Sequence, residues 1–411
     1  MSYKFDKSME MFRRAFKVIP QGIYGHFNPA TLIPGSYPYF ISKAKGPRFW
    51  DVDGNEYIDY ACAYGPMILG YAHDKVDEAF AKQAKLGTST MPPTTLLVEL
   101  AEKMVETIDF ADWAMFAKNG ADTTSWALVI ARGFKRRDKI ILCKGHYHGT
   151  QPWAGTNHTG ISPTDRSQIL MVNWGDVADF QRLVDENKGQ VAGAMFMPYH
   201  HPVFEEQKLP APGYWQAIRK ICDENDIVLI IDDVRAGWRL DIKGSAHYFG
   251  FKPDLACYCK AIANGYSISA IVGSEKMKLT ASKPFQTGSY WNNSPEMAAA
   301  IACIDEMKTI DAAGICSERG LQLRNGLEQL ASGHGLKFKV SGPNPFPFIH
   351  LTNETNFKRA QLFCKECSLN GVYFFWHHNM FLSAAHTEAD IKKTLDVADK
   401  AFKVVKTKFG C

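Results

Sequence analysis

The chain has 411 residues, of which 46% are hydrophobic and 22% are charged, and its formal net charge is +4. These values are typical of a soluble globular protein, and the length predicts at least two subdomains. The small net charge argues against a nucleic-acid partner, and no run of ~20 apolar residues predicts a membrane helix. The ten cysteines follow no disulfide pattern and the polar N-terminus has no signal-peptide core, so a reduced, cytoplasmic protein is predicted.

The first part of the chain has few regular elements. A helix is predicted over residues 8–18, and an irregular passage rich in Gly and Pro follows over 21–39. Residues 48–59 predict a hairpin, because the Asp-Gly-Asn sequence at 53–55 supplies turn residues between two apolar stretches.

From residue 96 onward, helices and short apolar strands alternate. Helices are predicted at 96–107, from 120, at 176–186 and at 214–224, and strands at 113–117, 139–143, 191–197, 227–232, 256–259 and 269–272. This alternation is typical of an α/β fold with a mainly parallel sheet between helices. After residue 308 the sequence predicts a helix, short strands and a last helix at 388–406. We therefore predict a large domain over 65–308 and a smaller α+β domain built from 1–64 and 309–411.

Two of the predicted strands end in residues of opposite charge, Asp232 and Lys260. A carboxylate that keeps a pyridine nitrogen protonated and a lysine amine that holds an aldehyde as a Schiff base are the groups that pyridoxal 5'-phosphate (PLP) requires. Taken alone, each residue is more often an ordinary strand-end acid or a solvated surface lysine. The prediction of PLP therefore depends on the motifs around them.

Two further motifs follow predicted strands. Asn119 is a good helix N-cap, and the N–H groups of Gly120 and Ala121 after it can bind an anion, although a plain capped helix is the alternative. The Gly-His-Tyr-His-Gly sequence at 145–149 offers the ring of Tyr147 for stacking on a cofactor, where core packing is the alternative.

The order of these motifs resembles the class III aminotransferases of PLP fold type I, and within them the glutamate-1-semialdehyde aminomutase branch. The resemblance covers about residues 20–406. Its carriers are Trp50-Asp-Val-Asp-Gly-Asn-Glu-Tyr-Ile-Asp-Tyr60, Asn119-Gly-Ala, Gly145-His-Tyr-His-Gly149, Ile231-Asp-Asp-Val-Arg-Ala-Gly-Trp-Arg239, Lys260, Gln286-Thr-Gly-Ser289 and Ala385-His-Thr387. The resemblance implies a large PLP-binding domain, a smaller domain from both ends of the chain, and a homodimer with shared active sites.

The resemblance also implies a role for individual residues. Lys260 would be the Schiff-base lysine and proton carrier, and Asp232 the partner of the pyridinium nitrogen. The other implied contacts are Tyr147 on the ring face with His148 in support, Asn119, Gly120 and Ala121 at the phosphate, Gly288 and Ser289 at the phosphate of the neighbouring subunit, and Tyr64, Asn28 and His378 near the substrate.

Departures from the aminomutase pattern argue against mutase activity. Asn28 stands where that branch has an arginine for the substrate carboxylate, and residues 376–379 lack its acidic residue. Met197 and Arg235 also depart from the family, with an effect that the sequence leaves open.

The histidine pairs 200/201 and 377/378 have no carboxylate or cysteine at ligand spacing, so no metal site is predicted.

The sequence thus predicts a PLP-dependent aminotransferase that passes an amino group, expected from L-glutamate, to a carbonyl acceptor. Its pocket residues favour a polyhydroxylated acceptor, and the chain is similar to transaminases that make 8-amino-8-deoxy sugar acids for lipopolysaccharide. The alternatives are an aminomutase, a catalytically silent PLP-fold binding module and, more distantly, a metal hydrolase.

Overall fold

The computed structural model describes residues 3–25, 33, 35–155, 157, 159–352, 354 and 356–410. Its helices are α1 (Asp6–Val18), α2 (Asp74–Ala84), α3 (Leu96–Thr107), α4 (Gly120–Lys135), α5 (Val177–Glu186), α6 (Tyr214–Glu224), α7 (Ser245–Tyr248), α8 (Glu275–Ala281), α9 (Ser294–Ile310), α10 (Ala312–Gly333), α11 (Lys358–Ser368) and α12 (Glu388–Phe409). Its strands are β1 (Ile41–Lys45), β2 (Arg48–Asp51), β3 (Glu56–Asp59), β4 (Trp113–Ala117), β5 (Lys139–Cys143), β6 (Ile169–Val172), β7 (Val191–Phe196), β8 (Val228–Asp232), β9 (Leu255–Tyr258), β10 (Ser269–Gly273), β11 (Phe338–Ser341), β12 (Phe348–Leu351) and β13 (Val372–Tyr373).

The chain divides into two compact units. The small unit comprises Met1–His73, Val203–Glu206 and Gly314–Cys411, and the large unit comprises Asp74–Pro202 and Gln207–Ala313. The domain limits given above, 1–64, 65–308 and 309–411, stay predictions.

The large unit is built on a seven-stranded sheet of order β4-β10-β9-β8-β7-β5-β6. Strands β6, β5, β7, β8 and β9 pair in parallel, whereas β10 is antiparallel to both of its neighbours. Every residue of β7 and β8 is buried, as expected for strands covered on both faces. The predicted α/β class with a mainly parallel sheet is confirmed.

Helix α4 packs its apolar side chains against this sheet. Trp126 and Ile130 of the helix belong to one buried cluster with Ile140, Val228 and Ile271 from three strands. Full burial of each large side chain contributes about 1.5–3 kcal/mol, so this cluster holds the start of α4 firmly beside the strand ends.

The small unit contains a four-stranded sheet of order β1-β2-β3-β13 and a hairpin of β11 and β12. In the turn between β2 and β3, Asp51 accepts the N–H of Asn55 at 2.8 Å. The carboxylate of Asp53 accepts the N–H groups of Lys7 and Ser8 at 2.7 and 2.9 Å, so the hairpin turn caps the first helix. The predicted hairpin is confirmed, and it has a second role that its sequence did not indicate.

Most predicted element limits agree with the structure within three residues. Helix α5 begins one residue late because Asp176 serves as its N-cap, accepting the N–H of Asp179 at 2.8 Å. Other limits differ slightly: α1 begins at Asp6, β7 ends at Phe196, β8 begins at Val228, β9 spans Leu255–Tyr258, β10 ends at Gly273 and α12 continues to Phe409. Strands β1 and β6 and helices α2, α7, α8 and α9 were not predicted.

Candidate active site

Asp232 is the last residue of β8 and is buried at the carboxyl edge of the parallel strands. Its Oδ2 lies 2.7 Å from Nδ1 of His148, and its Oδ1 accepts the N–H of Val234 at 3.2 Å. Because an ionised carboxylate can only accept, Nδ1 of His148 carries the hydrogen of this contact. The arrangement holds a fixed anion that can pair with a protonated ring nitrogen.

Lys260 follows β9, the neighbour of β8 in the sheet. Its φ of 20° is rare for a residue with a side chain, and such backbone strain clusters at functional sites. Loss of contact with water, followed by repulsion from Arg235, lowers the pKa of the Lys260 amine to about 7. Near neutral pH much of the amine is therefore unprotonated, which is the form that attacks an aldehyde.

The start of helix α4 can bind an anion. Asn119 is the N-cap, Gly120 and Ala121 form the first turn, and the carboxylate of Asp122 accepts the N–H of Asn119 at 2.8 Å. First-turn N–H groups have no partner within the helix and lie at the positive end of its dipole, which suits a phosphate. A Cβ on Gly120 would lie 2.9 Å from Cγ1 of Val234, so this close approach requires glycine.

The loop at 145–149 packs against the same helix start. Gly149 has a φ of 117°, and a Cβ there would lie 2.7 Å from that of Ala121. The hydroxyl of Thr124 donates to the carbonyl oxygen of His148 at 2.7 Å. Tyr147 is 48% exposed although the loop is fixed on both sides of it. Its ring is therefore available for stacking on a bound group.

Together these side chains offer one group for each part of PLP. The amine of Lys260 suits the aldehyde, the carboxylate of Asp232 suits the pyridine nitrogen, the start of α4 suits the phosphate, and Tyr147 offers a ring face. The close contacts of Gly120 with Val234 and of Gly149 with Ala121 show that three of the loops at the strand ends meet. The residues present fit the cofactor.

Asp233 and Arg235, the second of which departs from the family sequence, each have a structural explanation. Asp233 is buried and accepts the N–H of Ser245 at 2.8 Å, and burial raises the pKa of its carboxyl to about 6. It therefore anchors the start of α7. Arg235 donates from Nη1 to Nδ1 of His201 at 2.7 Å and to the carbonyl oxygen of His201 at 3.2 Å. Arg235 thus ties the turn after β8 to the segment after β7.

The fold also gathers three potential metal ligands that are separated in the sequence. Cys143, His146 and His200 are buried, and their donor atoms lie within 4.8 Å of one another. Spacing along the chain does not indicate this cluster, because its members come from different loops. The sequence signal for it is that Cys143 and His200 lie near the ends of neighbouring parallel strands. The N–H of Met197 donates to Nδ1 of His146 at 3.1 Å, so in the neutral ring Nε2 carries the hydrogen. In that neutral ring Nδ1 already accepts a hydrogen bond and Nε2 carries the hydrogen, so neither nitrogen has a free lone pair for a metal ion.

Gly288 and Ser289 lie in another part of the large unit. Gly288 borders a cavity of about 420 Å³ whose described lining comes from α3, β4, Trp126 and residues 286–292, and does not include Lys260 or Asp232. Ser289 is exposed. Their predicted role at the phosphate of a neighbouring subunit stays a prediction.

The small unit brings together two of the three residues predicted to face the substrate. The ring of Tyr64 stacks on Phe375 with centroids 5.2 Å apart and meets the ring of His378 edge-on at 5.0 Å. Residues 62–64 all have positive φ values, of 45°, 53° and 63°, so Tyr64 ends a strained turn. Burial raises the pKa of Tyr64 to about 12, which keeps the phenol protonated. Asn28 lies outside the described residues.

A sequence profile of the class-III aminotransferases matches residues 33–397. The chain belongs to this family. An aminopentol aminotransferase of Sphingopyxis macrogoltabida is 39% identical over 98% of this chain and 96% of its own length. A glutamate-1-semialdehyde 2,1-aminomutase of Methanosarcina acetivorans is 31% identical over 95% of this chain and 97% of its own. The solved structure of the PLP internal aldimine form of the FumI protein of Sphingopyxis sp. MTA144 superposes with a TM-score of 0.96 at 39% identity, covering 98% of both chains.

These similarities confirm the predicted family, fold type, enzyme class and cofactor: the chain is a PLP-dependent class-III aminotransferase of fold type I. Among the helices that the structure describes, none combines the length and apolarity needed to cross a membrane.

Proposed function

We propose that this class-III aminotransferase aminates a carbonyl compound that carries several hydroxyl groups, with L-glutamate as the amino donor. The main support is the relative with 39% identity across 98% of this chain, whose name gives an aminopentol as its substrate. An aminopentol is an amine with several hydroxyl groups, and such a substrate is recognised by neutral hydrogen-bonding side chains rather than by a fixed charge.

Neutral side chains of the small unit support this substrate class. The segments 62–64 and 376–379, which contain Tyr64 and His378, include no Asp, Glu, Lys or Arg. Burial lowers the pKa of His377 to about 4, so this imidazole is neutral near pH 7. We propose that Tyr64, His378 and Asn28 face the substrate, and that their hydroxyl, imidazole and amide groups bind its hydroxyl groups.

Bound PLP supplies an aldehyde that takes up the amino group and a ring that accepts the electrons of the bond broken at the substrate carbon. We propose that Lys260 removes the proton from that carbon and returns it, because an amine with a pKa of about 7 can accept and donate a proton near neutral pH. Asp232 would keep the ring nitrogen protonated, and His148 would orient Asp232 through their 2.7 Å contact. Tyr147 would cover one face of the ring.

We propose that the phosphate is held by Asn119 and the first turn of α4, and that Gly288 and Ser289 complete its site from the partner in a homodimer. Large apolar side chains close to them along the chain support a protein contact there. Phe285 is 93% and Tyr290 is 68% exposed, and Met91 is 97% exposed on a segment that pairs with residue 293. Exposed apolar groups of this size mark interaction surfaces.

Three narrower points belong to the same proposal. The sugar acid expected from the sequence, a precursor for lipopolysaccharide, is one polyhydroxylated acceptor to be tested. A 2,1-aminomutase is the alternative activity, because relatives at 31% identity carry that name. A cytoplasmic location is supported by the free and mostly buried cysteines of the described residues.

The test begins with the absorbance spectrum of the purified holoenzyme before and after addition of L-glutamate. Loss of the visible band of bound PLP, and its return with 2-oxoglutarate, would establish glutamate as donor. The aminated enzyme is then mixed with a polyhydroxylated ketone, an 8-oxo sugar acid and glutamate 1-semialdehyde, each at equal concentration. Fastest recovery of the band with a polyhydroxylated compound supports the proposal, whereas fastest recovery with glutamate 1-semialdehyde would favour the mutase.

A further inference from the structure

Phe204 is an exposed aromatic residue whose backbone is held in an unfavourable conformation. Its side chain is 43% exposed, and its φ of 64° is an outlier for a bulky residue. A strained conformation of this kind persists only where the surrounding structure fixes it, and such residues cluster at active sites and ligand clamps. Neither the family resemblance nor the proposed function gives Phe204 a role.

Contacts on both sides along the chain tie Phe204 to the rest of the small unit. Its N–H donates to the carbonyl oxygen of His377 at 2.9 Å. Two residues further on, the carboxylate of Glu206 lies 2.6 Å from Nζ of Lys339 on β11 and 3.2 Å from Nε2 of His350 on β12. The phenyl ring therefore extends from a fixed backbone, so a ligand that packs on it does not have to order a free loop.

The ring of Phe204 belongs to a group of aromatic side chains, the Phe204 cluster, that also contains Phe357, Trp376 and His377. Its centroid lies 6.0 Å from that of Phe357 and 5.6 Å from those of Trp376 and His377. Phe357 has the same kind of backbone strain, with a φ of 55°, and its ring lies 5.4 Å from that of Trp376. Trp376 and His377 are buried, whereas Phe204 is exposed. The buried rings thus support an aromatic surface that solvent can reach.

Ring contacts connect this cluster with Tyr64, which is proposed to face the substrate. Tyr64 stacks on Phe375 with centroids 5.2 Å apart, and Phe375 meets His377 edge-on at 5.6 Å. His377 in turn lies 5.6 Å from Phe204. All of these residues belong to the small unit. A continuous run of rings therefore joins the residue proposed to face the substrate with the exposed ring of Phe204.

The chemistry of this surface suits a hydroxylated carbon chain. An aromatic face packs against C–H groups, and ligand sites combine such faces with a small number of polar groups. Burial lowers the pKa of His377 to about 4, so the imidazole beside Phe204 is uncharged near neutral pH. The carboxylate of Glu206 is neutralised by Lys339. These residues therefore favour the C–H groups of a neutral chain over an anion or a cation.

We propose that Phe204 binds the part of the substrate that is distant from the reacting carbonyl, with its ring packed against the C–H groups of the hydroxylated carbon chain. Phe357, Trp376 and His377 hold this ring in place. Phe204 is thus a specificity-determining residue that favours long substrates over short ones. This inference rests on the substrate class and on the place of Tyr64 given under the proposed function.

The experiment measures the reverse half-reaction, in which an amine transfers its amino group to the holoenzyme and the visible band of bound PLP disappears. Stopped-flow traces at increasing amine concentration give an apparent dissociation constant and a maximum rate. The probes are ethanolamine, then glucamine, which is a linear amine with several hydroxyl groups, and then glucamine extended by a galactosyl group. These amines do not cyclise, and they differ mainly in length.

In Phe204→Ala, we expect the apparent dissociation constant of at least one of the two longer amines to rise about two- to tenfold, as for the loss of one aromatic contact. The constant of ethanolamine and all maximum rates should stay within about twofold of the wild type. Phe204→Tyr keeps the ring and should bind the longer amines as the wild type does. Phe16→Ala is the matched control, because Phe16 is a 63% exposed phenylalanine on α1 of the same unit, and it should change no constant.

The possible outcomes separate this inference from the proposed function. If the wild type reacts with glutamate but with neither of the longer amines, the proposed substrate class and the inference both fall. If the wild type reacts with the longer amines and Phe204→Ala binds them unchanged, or loses affinity equally for all three amines, the inference is wrong and the proposed function stands.

Two further controls keep the test decisive. Faster subunit dissociation of Phe204→Ala in analytical ultracentrifugation, with unchanged constants for the amines, would assign the ring to a subunit contact and overturn the inference. Should Phe204→Ala fail to fold, Phe204→Asn takes its place, because asparagine tolerates a positive φ and has no ring. The same selective loss of affinity for the longer amines is expected of Phe204→Asn, and its absence overturns the inference.

Discussion

Replacement of Gly149 by alanine should weaken PLP binding, because the new methyl group enters the contact between the 145–149 loop and the start of α4. The added Cβ would lie 2.7 Å from Cβ and 3.0 Å from Cα of Ala121, where ordinary contacts are at 3.4 Å or more. Relief requires the loop or the helix start to move by several tenths of an ångström. A shift of the helix start displaces the donors proposed to hold the phosphate, and a shift of the loop displaces Tyr147, which is proposed to cover the ring of PLP.

The expected cost of Gly149→Ala has two parts. A φ of 117° is unfavourable for any residue with a Cβ, at a cost of order 1–3 kcal/mol. Overpacking against Ala121 adds about 1–3 kcal/mol. If at least 1.4 kcal/mol of this total appears as lost cofactor affinity, the dissociation constant of PLP rises at least about tenfold.

The assay is equilibrium titration of apoprotein with PLP, followed by absorbance. Gly54→Ala is the matched control, because Gly54 also has a positive φ, of 90°, but no atom lies within 4 Å of its added Cβ. This variant should have a lower melting temperature and an unchanged PLP affinity. Equal PLP affinity of Gly149→Ala and Gly54→Ala would refute the argument from the close packing of the loop.

Four further results are expected. Lys260→Ala should reduce transamination by about 10²–10⁴-fold while PLP still binds non-covalently; retention of full activity with glutamate would contradict the role of Lys260. The rate of covalent PLP attachment to wild-type apoprotein should fall as pH drops through about 7, because the lowered pKa of Lys260 leaves the amine protonated only below that value, and should be flat above it. In Arg235→Met, removal of the neighbouring cation should raise the pKa of Lys260, so the attachment rate should become independent of pH only at a higher pH. Stopped-flow absorbance measures this rate, and an unchanged pH dependence would exclude the effect. Mixing inactive Lys260→Ala with weakly active Gly288→Val subunits should restore activity if the sites are shared, since each mixed dimer holds one intact site, and no recovery would argue for independent sites.

Strong local patterns made much of the fold predictable. Short apolar runs predicted the strands at 113–117 and 139–143, and amphipathic segments predicted the helices at 96–107 and 214–224. Turn residues bound these segments, and their predicted limits match the structure. Helix α9 was missed because it is buried around much of its circumference, with Met297, Ala300, Cys303 and Ile304 all inaccessible to water. After the first turn, the less buried positions in its first part carry Ala298, Ile301 and Ala302, so the polar face that would mark a 3.6-residue pattern appears only near its end.

The candidate site was only partly predictable, because several of its contacts join distant parts of the chain. Asp232 and Lys260 could be recognised since each ends a strand of a parallel sheet. The contact of Arg235 with His201 and that of Met197 with His146 depend on which strands become neighbours, which the sequence pattern does not specify. Spacing along the chain is therefore a poor guide to clusters assembled at the edge of a sheet.

The strained turn at 62–64 has a consequence for how the enzyme responds to heat. Its three adjacent residues have left-handed backbone conformations, each at a cost of order 1–3 kcal/mol. Local hydrogen bonds hold the turn in place, among them those that the N–H groups of Ala61 and Cys62 donate to the carboxylate of Asp59 at 2.7 and 2.9 Å. A segment held against such strain opens at lower temperature than the packed sheet beside it. Tyr64 would then leave its place while most of the protein is still folded, so catalytic activity should decline on warming before the main unfolding transition begins.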